Sequence, residues 1–374
     1  MPNRRATGTM DKMANMDKTP QSVIRAEIQA LSAYHVPDSR KLVKLDAMEN
    51  PYLLPEDLRA QIGELTAAAA LNRYPDPAAA PLKARLRQAM RVPDDMELLL
   101  GNGSDELIQI LAQAVNRPGA ALMSVEPSFV IFKMAATLTG MRYVGVPLTP
   151  AFGLDQGRML SEIEAHQPAL TFIAYPNNPT GNLFDAAAVH AVIEACSGLV
   201  VLDEAYHVFA QKSFLPELAR YPNLLVMRTL SKLGLAGLRL GMLIGRAQWI
   251  AQLDKLRLPY NVNVLTQILA EHVLAREDVL QAQARAILDQ RARLWNALSA
   301  LPQVTAFPSE ANFILFRVPH ADAVFAGLKQ RGVLIKNLHG SHPSLAGCLR
   351  VTAGTPEENA QFLDALQESL RQAA

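Results

Sequence analysis

The sequence predicts an α/β fold, with a mostly parallel, doubly wound sheet in a large domain and a smaller α+β domain after it. Three observations carry that expectation. Between about residues 97 and 245, short apolar runs alternate with helical patterns. Several of those runs are apolar throughout, as strands covered on both faces are. Past Pro259 the texture changes to long helical stretches followed by short strands.

The strand candidates are Leu98-Leu99-Leu100, Ala120 to Val125, Tyr143 to Val146, Leu170 to Ala174, Leu199 to Leu202, Leu224 to Met227 and Leu240 to Ile244. Between them, Ser104 to Val115 and Asp185 to Cys196 each open on a residue able to cap free amides and continue with apolar residues at helical spacing, which makes them crossover helices. Residues Val264 to Ala300 lack Gly and Pro and predict one or two long helices. An apolar stretch at Asn312 to Val318, a helix near Asp322 to Gln330, and strands at Val333-Leu334-Ile335 and Cys348 to Thr352 complete the second domain. The four alanines at 67 to 70 are assigned to a helix. The expected organisation is a mobile tail at 1–20, an arm at 21–50 contributing to the smaller domain, a large domain at 51–284 and a small C-terminal domain at 285–374.

Composition narrows the function classes. At 374 residues, half of them hydrophobic, the chain can bury a sizeable core. With Lys+Arg 36 against Asp+Glu 35 the net charge is +1 and no basic block is dense, which argues against a nucleic-acid partner. Cys196 and Cys348 lack metal-ligand spacing and read as buried thiols in a reducing cytoplasm. No signal-like apolar core opens the chain, and no uncharged apolar run reaches the roughly 18 residues of a membrane span. His207, His339 and His342 have no convincing third donor, so no metal site is expected.

In open sheets ligands bind beyond the carboxyl ends of the strands, so polar residues just after each run matter most. Ser231-Lys232 follows the run at Leu224 to Met227, with Arg239 seven residues beyond the lysine. A lysine there can hold a phosphorylated aldehyde as a Schiff base. Gly101-Asn102-Gly103-Ser104-Asp105-Glu106 is a glycine-rich strand-to-helix turn whose free amides suit an anion or simply form a capped turn. Tyr175-Pro176-Asn177-Asn178-Pro179-Thr180-Gly181 is a rigid loop aiming an amide at the crevice, or a structural turn. Asp203 puts a carboxylate where a buried strand leaves the sheet, suited to a protonated pyridine nitrogen, a helix cap or a salt bridge. Tyr206 follows three residues later.

In this combination the chain resembles the pyridoxal-phosphate (PLP)-dependent aminotransferases of fold type I, class II, and among them the histidinol-phosphate aminotransferases. The likeness runs from Leu45-Asp46-Ala47-Met48-Glu49-Asn50-Pro51 to Leu349-Arg350-Val351-Thr352-Ala353-Gly354-Thr355. It implies that Lys232 carries the cofactor, that Asp203 pairs with its pyridinium, and that Asn178 and Tyr206 contact the ring oxygen. It also implies that Ser231, Arg239 and the amides of Ser104 and Asp105 hold the phosphate, with Phe129 stacking where many relatives have tyrosine. Tyr74 would reach the neighbouring subunit's site in a homodimer. Arg350 would grip the anionic end of the substrate, and Asn178 would face the substrate too. Lys336 stands where many relatives have a second arginine for the substrate phosphate, keeping the charge but not the bidentate fork.

The activity so implied is amino transfer from L-histidinol phosphate to 2-oxoglutarate, giving imidazole acetol phosphate and L-glutamate in histidine biosynthesis. Alternatives with the same cofactor are an aromatic amino-acid aminotransferase and a decarboxylase of a phosphorylated amino acid. A non-catalytic PLP-binding regulator is disfavoured, because residues 1–20 are too short for an attached partner module.

Overall fold

The computed structural model describes residues 19–33 and 37–373. The tail expected at 1–20 lies, as far as residue 18, outside the described residues. Two compact units are present, divided after Asp38. In the first, two one-turn helices, Pro20–Val23 and Ala26–Gln29, follow each other, and the Thr19 amide bonds to Ser22 Oγ at 3.2 Å.

The second unit begins at Ser39. Its strands are β1 (Val43–Lys44), β2 (Met96–Gly101), β3 (Ala121–Glu126), β4 (Arg142–Pro147), β5 (Leu170–Ala174), β6 (Leu199–Asp203), β7 (Leu224–Thr229), β8 (Gly241–Arg246), β9 (Thr305–Ala306), β10 (Phe313–Arg317), β11 (Val333–Leu334), β12 (Lys336–Asn337) and β13 (Cys348–Thr352). The large sheet has the order β2-β8-β7-β6-β5-β3-β4. It is parallel except for β8, which runs antiparallel to both its neighbours. The predicted "mostly parallel" sheet is therefore observed, with one reversed strand.

Side-chain alternation explains why these runs are apolar from end to end. Along β6, Val200 and Leu202 pack into a cluster on one face, while Leu199 and Val201 pack into a second cluster on the other. Each face is roofed by helices, so neither can be polar. Ser104–Val115 and Val130–Thr139 cover one side, and Ala80–Ala89 and Ala186–Ala195 cover the other. Asp185 caps its helix through the Ala188 amide at 3.2 Å, as its position predicts.

The smaller sheet, β12-β13-β10-β9, is antiparallel, and β1 pairs in parallel with β11. Its apolar face, including Ile314, Phe316, Leu349 and Val351, packs against Leu294 and Leu298, Val324, and Phe362 and Leu366. These come from the helices Glu277–Ser299, Ala321–Gln330 and Pro356–Ala373.

One expectation is sharpened and one boundary differs. The Val264–Ala300 stretch is two helices, Val264–Leu274 and Glu277–Ser299, interrupted at Ala275 and Arg276. Of the four alanines, Ala67 and Ala68 end the helix Glu56–Ala68, and Ala69 turns to extended backbone at φ −67°, ψ 132°. Helix propensity alone does not carry the helix beyond the packing that supports it.

Phe132 and Phe172 stack with centroids 4.5 Å apart, both fully buried between sheet and helix. Phe172→Ala is expected to cost about 3–5 kcal/mol, read as a lowered midpoint in urea unfolding.

Candidate functional site

Parallel strands deliver their carboxyl ends to one edge of the sheet, and the antiparallel β8 enters from that same edge. A cavity of ≈ 130 Å³ lies there, lined by residues following β2, β3, β5, β6 and β7 and preceding β8. Ser104 and Asp105, Phe129, Asn178, Asp203, Tyr206, Ser231, Lys232 and Arg239 all line it. Of the expected site residues, nine thus share one space although they span more than a hundred positions of sequence.

Asp203 ends β6 and is buried. The Ala205 amide donates to its Oδ1 at 3.0 Å. Burial pushes the carboxyl up to about 7; the Ala205 hydrogen bond opposes this, the Asp105 and Glu204 charges add to it, and Lys232 opposes it. Among the described residues no cation forms an ion pair with it, so it is a carboxylate whose ionised form an added cation would stabilise.

Lys232 lies one residue beyond Ser231 in a distorted turn, Ser231–Leu235. Its Nζ donates to the Ala47 carbonyl at 3.0 Å and sits 5.8 Å from the Tyr206 ring centroid. Burial, and then the Arg350 charge, draw its pKa down to about 8 against the pull of Glu49 and Asp105. The amine is thereby brought toward the neutral, nucleophilic form near physiological pH. Tyr206 packs edge-on against Phe313 at 5.3 Å. Burial pushes its phenol well up, with Arg350 opposing and Asp203 adding.

An anion cradle closes one end of the cavity. The helix Ser104–Val115 presents its first amides there, following Gly103 at φ +85°. The φ of Gly103 is one that L side chains rarely adopt, and a Cβ there would also press on Arg239 Nη2 at 2.7 Å. Arg239 donates from Nη1 to Ser231 Oγ at 3.4 Å and from Nη2 to Asp105 Oδ2 at 3.3 Å. The Thr229 hydroxyl donates to Ser231 Oγ at 2.9 Å. Phe129 precedes the helix Val130–Thr139 and contacts Phe132 edge-on at 5.6 Å.

The smaller sheet meets the cavity through its lining residue Asn178. Arg350, on β13, donates from Nη1 to Asn178 Oδ1 and from Nη2 to the Asp46 carbonyl at 3.1 Å. Lys336 on β12 is the direct cross-strand partner of Arg350. Directly opposite residues of an antiparallel pair project from the same face, so the two cations share a side of the sheet. Neither Arg350 nor Lys336 is among the residues that line the cavity described above. Tyr74 also stands apart from it in its own chain, 80% exposed and stacked on Tyr260 with centroids 4.4 Å apart.

Sequence reasoning did not single out several participants. Met48 lines the cavity at φ +53°, its amide held by Thr352 Oγ1 and its carbonyl by Asn312 Nδ2, each at 3.0 Å. Ala47 acts through a backbone carbonyl, which carries no side-chain signal. Thr229 was recoverable, being a polar residue at the end of an apolar strand. Behind Asp203, Glu204 is fully buried and takes the Arg228 Nε and Nη2 at 3.0 and 2.8 Å, together with the Phe214 amide and the Ser213 hydroxyl.

The histidines are occupied locally. His207 Nδ1 is 3.1 Å from the Glu204 carbonyl, and burial and Arg228 push its pKa down to about 3. His339 accepts from the Gly347 amide, and His342 from the Ser344 amide. Among the described residues no group of three His, Cys, Asp or Glu could hold a metal, and no helix is long and apolar enough to cross a membrane. Both cysteines are buried and unpaired with each other.

The donor set fits pyridoxal phosphate: a buried carboxylate for the ring nitrogen, an amine for the aldehyde carbon, a phenol and an amide for the ring oxygen, and the cradle for the phosphate. Comparison with known proteins points the same way. Residues 40–366 match the family model for "Aminotransferase class I and II". A curated relative from Ralstonia nicotianae, "Histidinol-phosphate aminotransferase 1", is 54% identical over 362 residues, 96% of this chain and 97% of its own. A histidinol-phosphate aminotransferase from Sinorhizobium meliloti, solved in complex with pyridoxal-5'-phosphate, superposes with a TM-score of 0.84 at 24% identity, covering 97% of this chain and 100% of that one. An L-threonine-O-3-phosphate decarboxylase from Porphyromonas gingivalis superposes at 0.76 with 21% identity, over 88% and 100% of the two chains. Likeness at that identity reports the fold and does not separate amino transfer from decarboxylation.

The raised carboxyl of Asp203 sets a pH dependence. An unfolded aspartate ionises near 3.8, whereas the folded group holds its proton to about 7. The native state therefore binds more protons between those values, and stability falls as pH rises through the window. In cofactor-stripped protein Asp203→Asn should match wild type near pH 4 and exceed it near pH 8, by about 4 kcal/mol at most. Urea unfolding across pH 4 to 8 measures the divergence.

Proposed function

The chain belongs to the class I and II aminotransferases, and from that membership we propose that it transfers the amino group of L-histidinol phosphate to 2-oxoglutarate. The products are imidazole acetol phosphate and L-glutamate, and the reaction serves histidine biosynthesis. The carrying observation is the convergence of Asp203, Tyr206, Ser231, Lys232 and Arg239 on one cavity. The name borne by the Ralstonia nicotianae relative supports the substrate.

When bound, pyridoxal phosphate supplies an electron sink for the bonds at the substrate's Cα. The chain's residues do the rest. Lys232 Nζ would hold the cofactor between turnovers and, as a free amine, would take the proton from the substrate's Cα. Its pKa of about 8 suits that exchange near neutral pH. Asp203 keeps the ring nitrogen protonated by offering it a buried carboxylate, and a cation there would in turn draw the Asp203 pKa down. Tyr206 and Asn178 orient the ring oxygen, and Phe129 stacks on the ring face. Ser231, Arg239 and the amides of Ser104 and Asp105 fix the phosphate.

Arg350 engages the anionic end of the substrate, with Lys336 on the same face as the second cation. A guanidinium takes carboxylate and phosphate equally well, as an enzyme alternating between glutamate and a phosphate monoester requires. The same reading takes 51–284 as the cofactor-holding domain and 285–374 as the smaller one, with 21–50 contributing to the latter. The large sheet falling between residues 96 and 246 and the small one between 305 and 352 support that division.

A homodimer belongs to this reading, with Tyr74 reaching the neighbouring site. The support is the exposure of Tyr74 at 80%, of Leu71 at 67% three residues before it, and of Leu258 at 72% two residues before its stacking partner Tyr260. A reducing cytoplasmic setting agrees with two buried free thiols.

Lys232→Ala should lower turnover by about 10⁴-fold and remove the absorbance band of the lysine-bound cofactor, while the protein stays folded. Purified enzyme given 2-oxoglutarate should form glutamate with histidinol phosphate far faster than with phenylalanine or tyrosine. Release of CO₂ without glutamate would instead identify a decarboxylase. If Tyr74 crosses between subunits, mixing Tyr74→Ala with Lys232→Ala protein restores activity, because one site of each hybrid carries neither change. Absence of recovery in a verified hybrid removes the crossing role.

A further inference from the structure

A second and larger cavity, ≈ 650 Å³, opens away from the site just described, between the end of the helix Ala80–Ala89, the loop after His207–Ala210 and the first turns of Glu277–Ser299. Its charged lining is mostly basic. Arg91, Lys212, Arg228 and Arg285 reach it, and Glu277 is the one carboxylate among its lining residues.

Arg228 is committed to Glu204, Ser213 and the Met90 carbonyl. The other three cations differ. Among the described residues, no side-chain hydrogen bond or ion pair engages Arg91, Lys212 or Arg285. In a chain with 36 basic and 35 acidic side chains, three such cations beside one carboxylate are a local excess of positive charge. A cleft lined by one sign of charge between low-dielectric walls focuses the potential and concentrates counter-ions. Met90, Val208 and Leu215 add apolar surface beside the charges. The volume lies within the range of small-molecule sites.

We propose that this cavity is a second binding site, separate from the catalytic one, for a small phosphate-bearing molecule with an apolar or aromatic body. Arg91 and Arg285 form the fork that takes the phosphate oxygens, with Lys212 as a third point charge. The body lies on Met90, Val208 and Leu215. The floor is tied to the catalytic segment: the His207 amide and Nδ1 meet the Glu204 carbonyl at 3.0 and 3.1 Å, one residue from Asp203. The proposal does not depend on which amino donor the enzyme uses.

The test is calorimetric titration of the cofactor-loaded protein at low salt with adenosine monophosphate, inorganic pyrophosphate and adenosine. Both phosphates should bind and adenosine should not. Arg91→Ala/Arg285→Ala should weaken the phosphates at least tenfold with an unchanged melting temperature, and Lys336→Ala should leave this binding intact. Lys212→Glu, a single exposed change, gives the same loss if the double variant is unstable. Absence of binding overturns the proposal. So does loss of binding in Lys336→Ala alone, which would assign the phosphates to the catalytic site, or adenosine binding as tightly as its monophosphate.

Discussion

A carboxylate held at the end of a fully buried strand is the constraint on which this structure depends. Every residue of β6 from Leu199 to Asp203 is buried, and the last of them is ionisable. Burial penalises its charge, and the one backbone amide given to it offsets only part of that penalty. Its neighbour Glu204 faces the same problem and solves it internally, with Arg228, Ser213 and the Phe214 amide filling its oxygens. Two adjacent carboxylates therefore have opposite fates: Glu204 is closed within the protein, and Asp203 opens on a cavity. A buried ion pair such as Glu204 with Arg228 is weak evidence for stability by itself. Here it anchors the end of β6 to β7, so that Asp203 is held at a fixed depth.

The segment from Leu45 to Met48 joins the two sheets around that cavity. Three consecutive carbonyls find three different donors: Arg350 at Asp46, Lys232 at Ala47 and Asn312 at Met48. The left-handed φ of Met48 is part of how successive peptide groups turn to such divergent partners. A methionine there has no local hydrogen bond to offer in return, unlike asparagine, so the conformation is imposed by its surroundings at a cost of order 1 kcal/mol. Lys232 is consequently restrained by a backbone that the smaller sheet itself holds in register.

Much of this was legible in the sequence because parallel sheets write themselves plainly. Runs such as Leu170–Ala174 and Leu199–Leu202 have no polar face to hide, and whatever polar residue follows them must lie at the ligand-binding edge. Asp203, Ser231 and Lys232 were found in that way, and Asn178 by its rigid loop. The run Leu240 to Ile244 was legible as a strand but the reversed direction of β8 was not, since an antiparallel strand buried on both faces looks like its parallel neighbours. Ala47 and Met48 were missed for a different reason: one acts through its carbonyl and the other through its backbone torsion. The cross-strand match of Lys336 with Arg350 needs register, which spacing along the chain does not contain.

That register bears on specificity more than any single contact does. Arg350 is buried and already divided between Asn178 and the Asp46 carbonyl, so its guanidinium is fixed in orientation before any anion arrives. Lys336 is half-buried on a two-residue strand, with a flexible stem and a point charge. A planar, pre-oriented cation thus stands opposite one on a flexible stem. In the proposed reaction the guanidinium would receive the substrate's anion in a set orientation, while the stem of the lysine would follow an anion standing nearer or farther.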